Sequence, residues 1–286
     1  MSAIPFCKFH GFGNDYIVIE REDIAPDVAL PGLAKKICHR HTGAGADGIA
    51  VLEPLNNSEA DYVCEIVNPD GSFAGFSGNG TRCAVAYLYY KGLWSAETLR
   101  LKTRSGVKNY RLLETTAPGH YVFEAEIGKP KFASDEVPVS LQTARPHVID
   151  HQLTINDGQL TISAVNVGNP VACIFVDDFT SDWRTLGRTL ERHSTFPDRA
   201  NIVFVKVQDR ENIDIRIWER AAGETAASGT CASGSAVLSA FMQKTGRSVA
   251  VHSEGGTTNV LWRDDDEIVI TGRADLAYCG EWPTDQ

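Results

Sequence analysis

The chain has 286 residues, 43% hydrophobic and 22% charged, and its 27 Lys and Arg against 37 Asp and Glu give a formal net charge of -10. These are globular values that exclude disorder, collagen and coiled coil as the main character, and the length suggests about two domains, each able to bury a core. The acidic excess argues against nucleic acid or an anionic membrane as partner, but leaves room for a small charged ligand that meets only its own pocket.

No apolar run approaches the roughly 18 residues that span a bilayer. The opening MSAIPFCKFHGFGND lacks the charged-then-apolar layout of a signal peptide. The seven cysteines (Cys7, Cys38, Cys64, Cys83, Cys173, Cys231 and Cys279) are scattered and form no CxxC pair. The sequence therefore predicts neither a disulfide framework nor a metal site. A reduced, cytoplasmic protein is expected.

In chain order, segments 16–20, 62–67, 99–103, 121–126, 172–176, 202–207, 213–218, 249–252 and 267–271 are short and β-branched or alternating, and predict strands. Residues 79–91 and 230–245 are rich in small and apolar residues, lack Pro and run up to a Gly, and predict helices. Both are nearly apolar along their length, and a helix apolar on all sides belongs inside a protein.

The chain also repeats itself. Gly13-Asn14 before an apolar run is matched by Gly168-Asn169, GADGIAVLEP by RANIVFVKV, and YVCEIVNPDGS by IDIRIWERAAGET. Ser77-Gly78-Asn79-Gly80 is matched by Ser228-Gly229-Thr230, and RLKTRSG by VAVHSEGG. Five landmarks in one order, about 150 residues apart, indicate a duplication rather than five common turn signals. The expected fold is α/β (α+β): two pseudo-symmetric lobes, each a β-rich sheet around a central helix whose N-terminus faces a cleft. The boundaries read as 1–128 plus 276–286 for one lobe and 129–275 for the other.

The helix openings carry the most information. Gly78 and Gly229 allow close backbone approach, and first-turn N–H groups with the positive dipole end suit a carboxylate. Ser77 and Ser228 fit either as simple N-caps or as members of a shared site. Asn14, Asn68, Asn169, Asn201 and the pair Glu219-Arg220 fall beside predicted strand ends. Each alone reads as a turn residue or a surface pair. Together they offer a guanidinium for a carboxylate, and oxygens for an ammonium, of a zwitterionic amino acid.

Over nearly its whole length the chain resembles the diaminopimelate epimerases, through KFHGFGNDYIVIE, NPDGSFAGFSGNGTRC, VGNP, RANI and ERAAGETAASGT. The resemblance implies two lobes, each a β-barrel-like sheet around a helix. It also implies inversion of an amino-acid α-carbon (LL- to meso-diaminopimelate) without cofactor or metal. Asn68, Asn169, Asn201, Glu219 and Arg220 would hold the distal end of the substrate, with Asn14 nearby. The N–H groups of Gly78, Asn79, Gly229 and Thr230 would grip the reacting carboxylate. The expected partner is a small amino acid, with a homodimer possible.

The resemblance breaks where the chemistry lies. The family uses one cysteine from each lobe as acid and base, and the matching positions here are Ser77 and Ser228. Val171 stands where the family usually has His, and Gly48 where bacterial members often carry a larger residue. A thiol titrates near 8.5 and a hydroxyl far higher, close to water, so a free alkoxide costs roughly 8–10 kcal/mol more than a thiolate. A helix N-terminus contributes at most about 2 kcal/mol. A serine pair without an adjacent base is thus a poor two-base catalyst.

Of the other thiols, Cys83 lies about 9 Å along its helix from Ser77, and Cys231, in the first turn after Ser228, reads as buried and inert. A pyridoxal-phosphate racemase is set aside, because no Lys lies beside a Gly/Ser-rich loop before a helix. Three readings remain: an impaired or altered epimerase, a diverged isomerase or dehydratase, and a non-catalytic amino-acid binder.

Overall fold

The computed structural model describes residues 3–55, 58–155, 158–220 and 222–284. The first half forms β1 (Ala3–Gly11), β2 (Asn14–Glu20), α1 (Leu30–Ile37), β3 (Ile49–Pro54), β4 (Tyr62–Val67), β5 (Phe73–Ala74), α2 (Gly78–Tyr90), β6 (Thr98–Thr103), β7 (Gly106–Ala117) and β8 (His120–Gly128). The second forms β9 (Val148–Ile155), β10 (Gly158–Asn166), β11 (Pro170–Phe175), α3 (Trp183–Glu191), β12 (Asn201–Val207), β13 (Asn212–Glu219), β14 (Gly223–Thr225), α4 (Gly229–Phe241), β15 (Ser248–Ser253), β16 (Gly256–Trp262) and β17 (Ile268–Pro283). Two compact units result, residues 1–126 with 271–286, and residues 127–270.

In the first unit the sheet closes on itself. β1 pairs with β2, β2 with β3, β3 with β4, β4 with β6, β6 with β7, β7 with β8, β8 with β17, and β17 returns to β1. The β2–β3 and β4–β6 pairings are parallel. α2 fills this eight-stranded barrel, with every residue from Gly78 to Leu88 buried. A second apolar cluster packs α1, through Leu30, Leu33, Ala34 and Ile37, against Ile17, Ile19, Ile49 and Val51.

The second unit repeats the order. β10 pairs with β11, β11 runs parallel to β12, β12 antiparallel to β13, β13 parallel to β15, and β15 antiparallel to β16. α4 is buried from Gly229 to Ser239 and packs on β10, β11, β12, β13, β15 and β16. The duplication seen in the sequence is thus one topology built twice, an α+β fold of two barrel-like sheets, each around a central helix.

The structure corrects the sequence reading in three places. Cys7 and Cys279 form a disulfide between paired positions of β1 and β17, 272 residues apart in sequence. Spacing rules see only neighbours along the chain, so this pair was invisible to them. The second central helix stops at Phe241, four residues early, because Gln243 takes a left-handed φ of 59° and Lys244 N–H turns back to Ser239 O. The strand expected over 267–271 is the start of the 16-residue β17.

Gly234 of α4 carries a test of this packing. A Cβ there lies 2.8 Å from the Cβ of fully buried Val171 in β11. Gly234→Ala gains about 1 kcal/mol of helix propensity but overpacks the core at about 1–3 kcal/mol, so net destabilisation is expected. Gly32→Ala in α1, where nothing lies within 4 Å, is expected to stabilise. Urea unfolding of both variants checks the opposite signs.

Candidate active site

In the first unit, β4 ends in a tight turn in which Asn68 N–H donates to Ser72 O at 2.8 Å and Asn68 Nδ2 to Ser72 Oγ at 2.9 Å. The chain then passes β5 and reaches Ser77 in extended conformation, at φ -135° and ψ 116°. The Ser77 hydroxyl caps α2, accepting from Gly80 N–H at 3.1 Å. It also meets the hydroxyl of Tyr16 in β2 at 2.9 Å. Tyr16 reaches it because two glycines make room, since a Cβ on Gly48 or on Gly80 would come within 2.8 Å of its ring.

Beside this pair runs a chain of amides. Asn79 Nδ2 donates to Asn14 Oδ1 at 3.1 Å, and Asn14 Nδ2 donates to Asp47 Oδ2 at 2.8 Å. Asn79 Oδ1 accepts from Arg82, one turn along α2, whose guanidinium is fully buried. Asp47 is tied through Arg40 to Asp15, which also meets Lys8 Nζ at 2.7 Å. Burial works to raise the Asp15 pKa, but hydrogen bonds from Arg40 and Lys8 prevail and hold it below the usual carboxylate value.

In the second unit the matching helix opening is Ser228, whose oxygen caps α4 by accepting from Cys231 N–H at 3.5 Å. Its hydroxyl donates to Glu219 Oε2 at 2.9 Å and lies 3.4 Å from Thr230 Oγ1. The other carboxylate oxygen accepts from Thr225 Oγ1 at 2.8 Å. Buried Asn201 accepts from Arg220 N–H at 2.9 Å, and the Arg220 guanidinium donates to Asp198 O at 3.2 Å and to Asn169 Oδ1 at 3.4 Å. Asn169, Asn201, Glu219, Arg220, Ser228, Gly229 and Thr230 therefore form one cluster around the start of α4. Val171 lies beneath it, fully buried.

The sequence residues are thus gathered into two clusters, one in each unit. Asn14, Ser77, Gly78 and Asn79 meet in the first, while Asn68 is held by its own turn. A base does lie beside Ser228, which revises the expectation of a serine pair without one. Cys231 does not replace it, because burial, and then the neighbouring Glu219 charge, push its pKa well above the usual thiol value. Cys83 is buried and pushed up to about 12. Sequence reasoning missed Tyr16, Thr225, Asp47 and Arg82. Only Gly48, noted as a departure, signalled the slot for the Tyr16 ring.

Each unit thus wraps a sheet around a buried helix that opens on a serine hydroxyl. The profile of the family described as Diaminopimelate epimerase matches residues 6–132 and 163–277. A diaminopimelate epimerase of Caldanaerobacter subterraneus subsp. tengcongensis is 39% identical over 277 residues, covering 96% of this chain and 98% of that one. One of Pelotomaculum thermopropionicum is 37% identical over 97% and 98%. The chain belongs to the diaminopimelate epimerase family. Its fold is shared with a hydroxyproline epimerase of Agrobacterium vitis, solved with bound trans-4-hydroxy-L-proline, at TM-score 0.72 and 15% identity over 100% and 94% of the chains. Among the described residues no helix is long and apolar enough to cross a membrane.

Asp15 gives the cluster of the first unit a pH signature. Its lowered folded pKa means that its contribution to stability is complete above the ordinary value of 3.8 and is lost as pH falls through the folded pKa. Asp15→Asn is expected to unfold at lower urea than the unmodified chain at pH 7, with the gap closing below 3.8. Unfolding midpoints from pH 7 downward measure it, and a constant gap would contradict the assignment.

Proposed function

We propose that the chain is an amino-acid epimerase that inverts an α-carbon of diaminopimelate, with Ser77 and Ser228 as the groups on the two faces of that carbon. The observation that carries this reading is the 2.9 Å hydrogen bond from Ser228 Oγ to Glu219 Oε2. A serine that hands its proton to a carboxylate as it takes one from carbon never becomes a free alkoxide. The roughly 8–10 kcal/mol handicap of oxygen against sulfur is thereby reduced, although a neutral hydroxyl remains a weaker base than a thiolate. The chain is thus a slow member of its family.

Substrate choice follows from the groups that remain. The N–H groups of Gly78, Asn79, Gly229 and Thr230 at the starts of α2 and α4 suit the carboxylate of the reacting centre. Arg220, exposed and oriented by Asn169 and Asp198, suits the second carboxylate of a long diamino diacid. The names of the relatives support diaminopimelate as that diacid. Proton NMR of LL-diaminopimelate in deuterated water tests the reading. Loss of Cα–H with appearance of the meso isomer is expected, and binding without any exchange would make the protein a binder.

Two sets of variants bear on the same reading. Ser77→Cys with Ser228→Cys is expected to raise the inversion rate by several powers of ten, since about 1.4 kcal/mol off the barrier is tenfold. Each single change is expected to give little, because the pair acts as a unit. Arg220→Ala is expected to weaken diaminopimelate binding by about 2–5 kcal/mol. Arg210→Ala, whose guanidinium donates to Gln243 O, is expected to leave binding unchanged. Calorimetry showing equal affinities would remove the Arg220 assignment.

A further inference from the structure

The two clusters repeat one topology but differ in what stands behind the hydroxyl. Behind Ser228 is the carboxylate of Glu219 at 2.9 Å; behind Ser77 is the phenol of Tyr16 at 2.9 Å. A carboxyl group ordinarily titrates near 4 and a phenol near 10, so at neutral pH the first is a proton acceptor and the second a proton donor.

We propose that Tyr16 is the proton-supplying partner of Ser77, which makes the Ser77 face the returning side and the Ser228 face the removing side. The inference rests on the epimerase reading and adds to it the roles of the two faces in the resting protonation state; the reverse reaction runs the same transfers backwards, from the Tyr16 phenolate and protonated Glu219. The bonds around Ser77 Oγ fit this role. A hydroxyl oxygen has one proton to give and two lone pairs. Gly80 N–H occupies one lone pair. If the proton of Ser77 goes to the substrate, the second lone pair is the one that Tyr16 O–H fills. Gly48 and Gly80 fix the ring for that contact, since a Cβ on either meets it at 2.8 Å. Tyr16 is only 6% exposed, so its hydroxyl is committed to this neighbourhood.

The proton accounting closes. On one face the Cα–H proton passes to Ser228 Oγ while the Ser228 proton passes to Glu219 Oε2, and the C–H electron pair stays on carbon. On the other face that pair takes the Ser77 proton while Ser77 Oγ takes the proton of Tyr16, leaving a phenolate. Release of the Glu219 proton to water and reprotonation of Tyr16 from water restore the resting state.

Tyr16→Phe keeps the ring and removes only the hydroxyl. In deuterated water the unmodified chain is expected to invert diaminopimelate and also to wash deuterium, with retention, into the isomer whose α-proton faces Ser228. The variant is expected to lose inversion by about 10²-fold or more, as for loss of a general acid, while that wash-in falls far less. With Ser77→Cys and Ser228→Cys in place, the thiol brings its own acidic proton, and Tyr16→Phe is expected to change inversion less than about tenfold. Equal losses of inversion and wash-in, or the same loss in both backgrounds, would assign Tyr16 a structural role and overturn the proposal. So would undiminished inversion in the serine background. No exchange at all in the unmodified chain would instead overturn the epimerase reading, and this inference with it.

Discussion

Two helices buried along almost their whole length set the terms for everything else in this protein. The first N–H groups of a helix have no partner within it, and in a barrel filled to its walls they can be met only at the open end. Ser77 and Ser228 meet them there, one accepting from Gly80 N–H and the other from Cys231 N–H. The side chain at each opening therefore has two tasks. It must cap the helix, and it must face whatever the helix dipole attracts. Serine is among the best residues for the first task, and both helix starts are capped by their serine hydroxyls.

A hydroxyl at a helix opening is a reactive group only if something shares its proton. The dipole is too weak for that by several kcal/mol. In both units the sheet supplies the partner: Tyr16 from β2 and Glu219 from the end of β13. These partners are far from equivalent chemically, although the strands that carry them lie in barrels of the same topology. Each is itself supported. Glu219 is fixed by Thr225, and Tyr16 by the absence of side chains on Gly48 and Gly80. Gly48 is thus a structural requirement of Tyr16 rather than an incidental loss of a larger residue.

Much of this was legible in the sequence, for identifiable reasons. The repeated Ser-Gly openings, the two nearly apolar helices and the strand segments follow from local periodicity and turn chemistry, which one chain segment can show. Strand 62–67 and the helix near 79–91 lie where the pattern put them, to within a residue. The two amphipathic helices, Leu30–Ile37 and Trp183–Glu191, escaped because they are short. β7 was missed because it is largely exposed and carries no apolar alternation along its outer half. The Cys7–Cys279 bridge and the Tyr16–Ser77 contact needed the closed sheet. The first joins paired positions of β1 and β17, and the second joins β2 to the start of the helix that fills the barrel.

The same limit explains why the serines stand without a partner in the sequence and are hydrogen-bonded in the fold. Glu219 stands nine positions before Ser228, too far for local rules to join them, and it reaches the hydroxyl because β13 turns back through β14 before α4 begins. Val171 illustrates the converse. In sequence it is the loss of an imidazole; in the fold it is a fully buried side chain packed so closely on Gly234 that a Cβ added there would lie 2.8 Å from the Val171 Cβ. Position 171 therefore serves the core, where β11 packs on α4, while the carboxylate that meets Ser228 comes from β13.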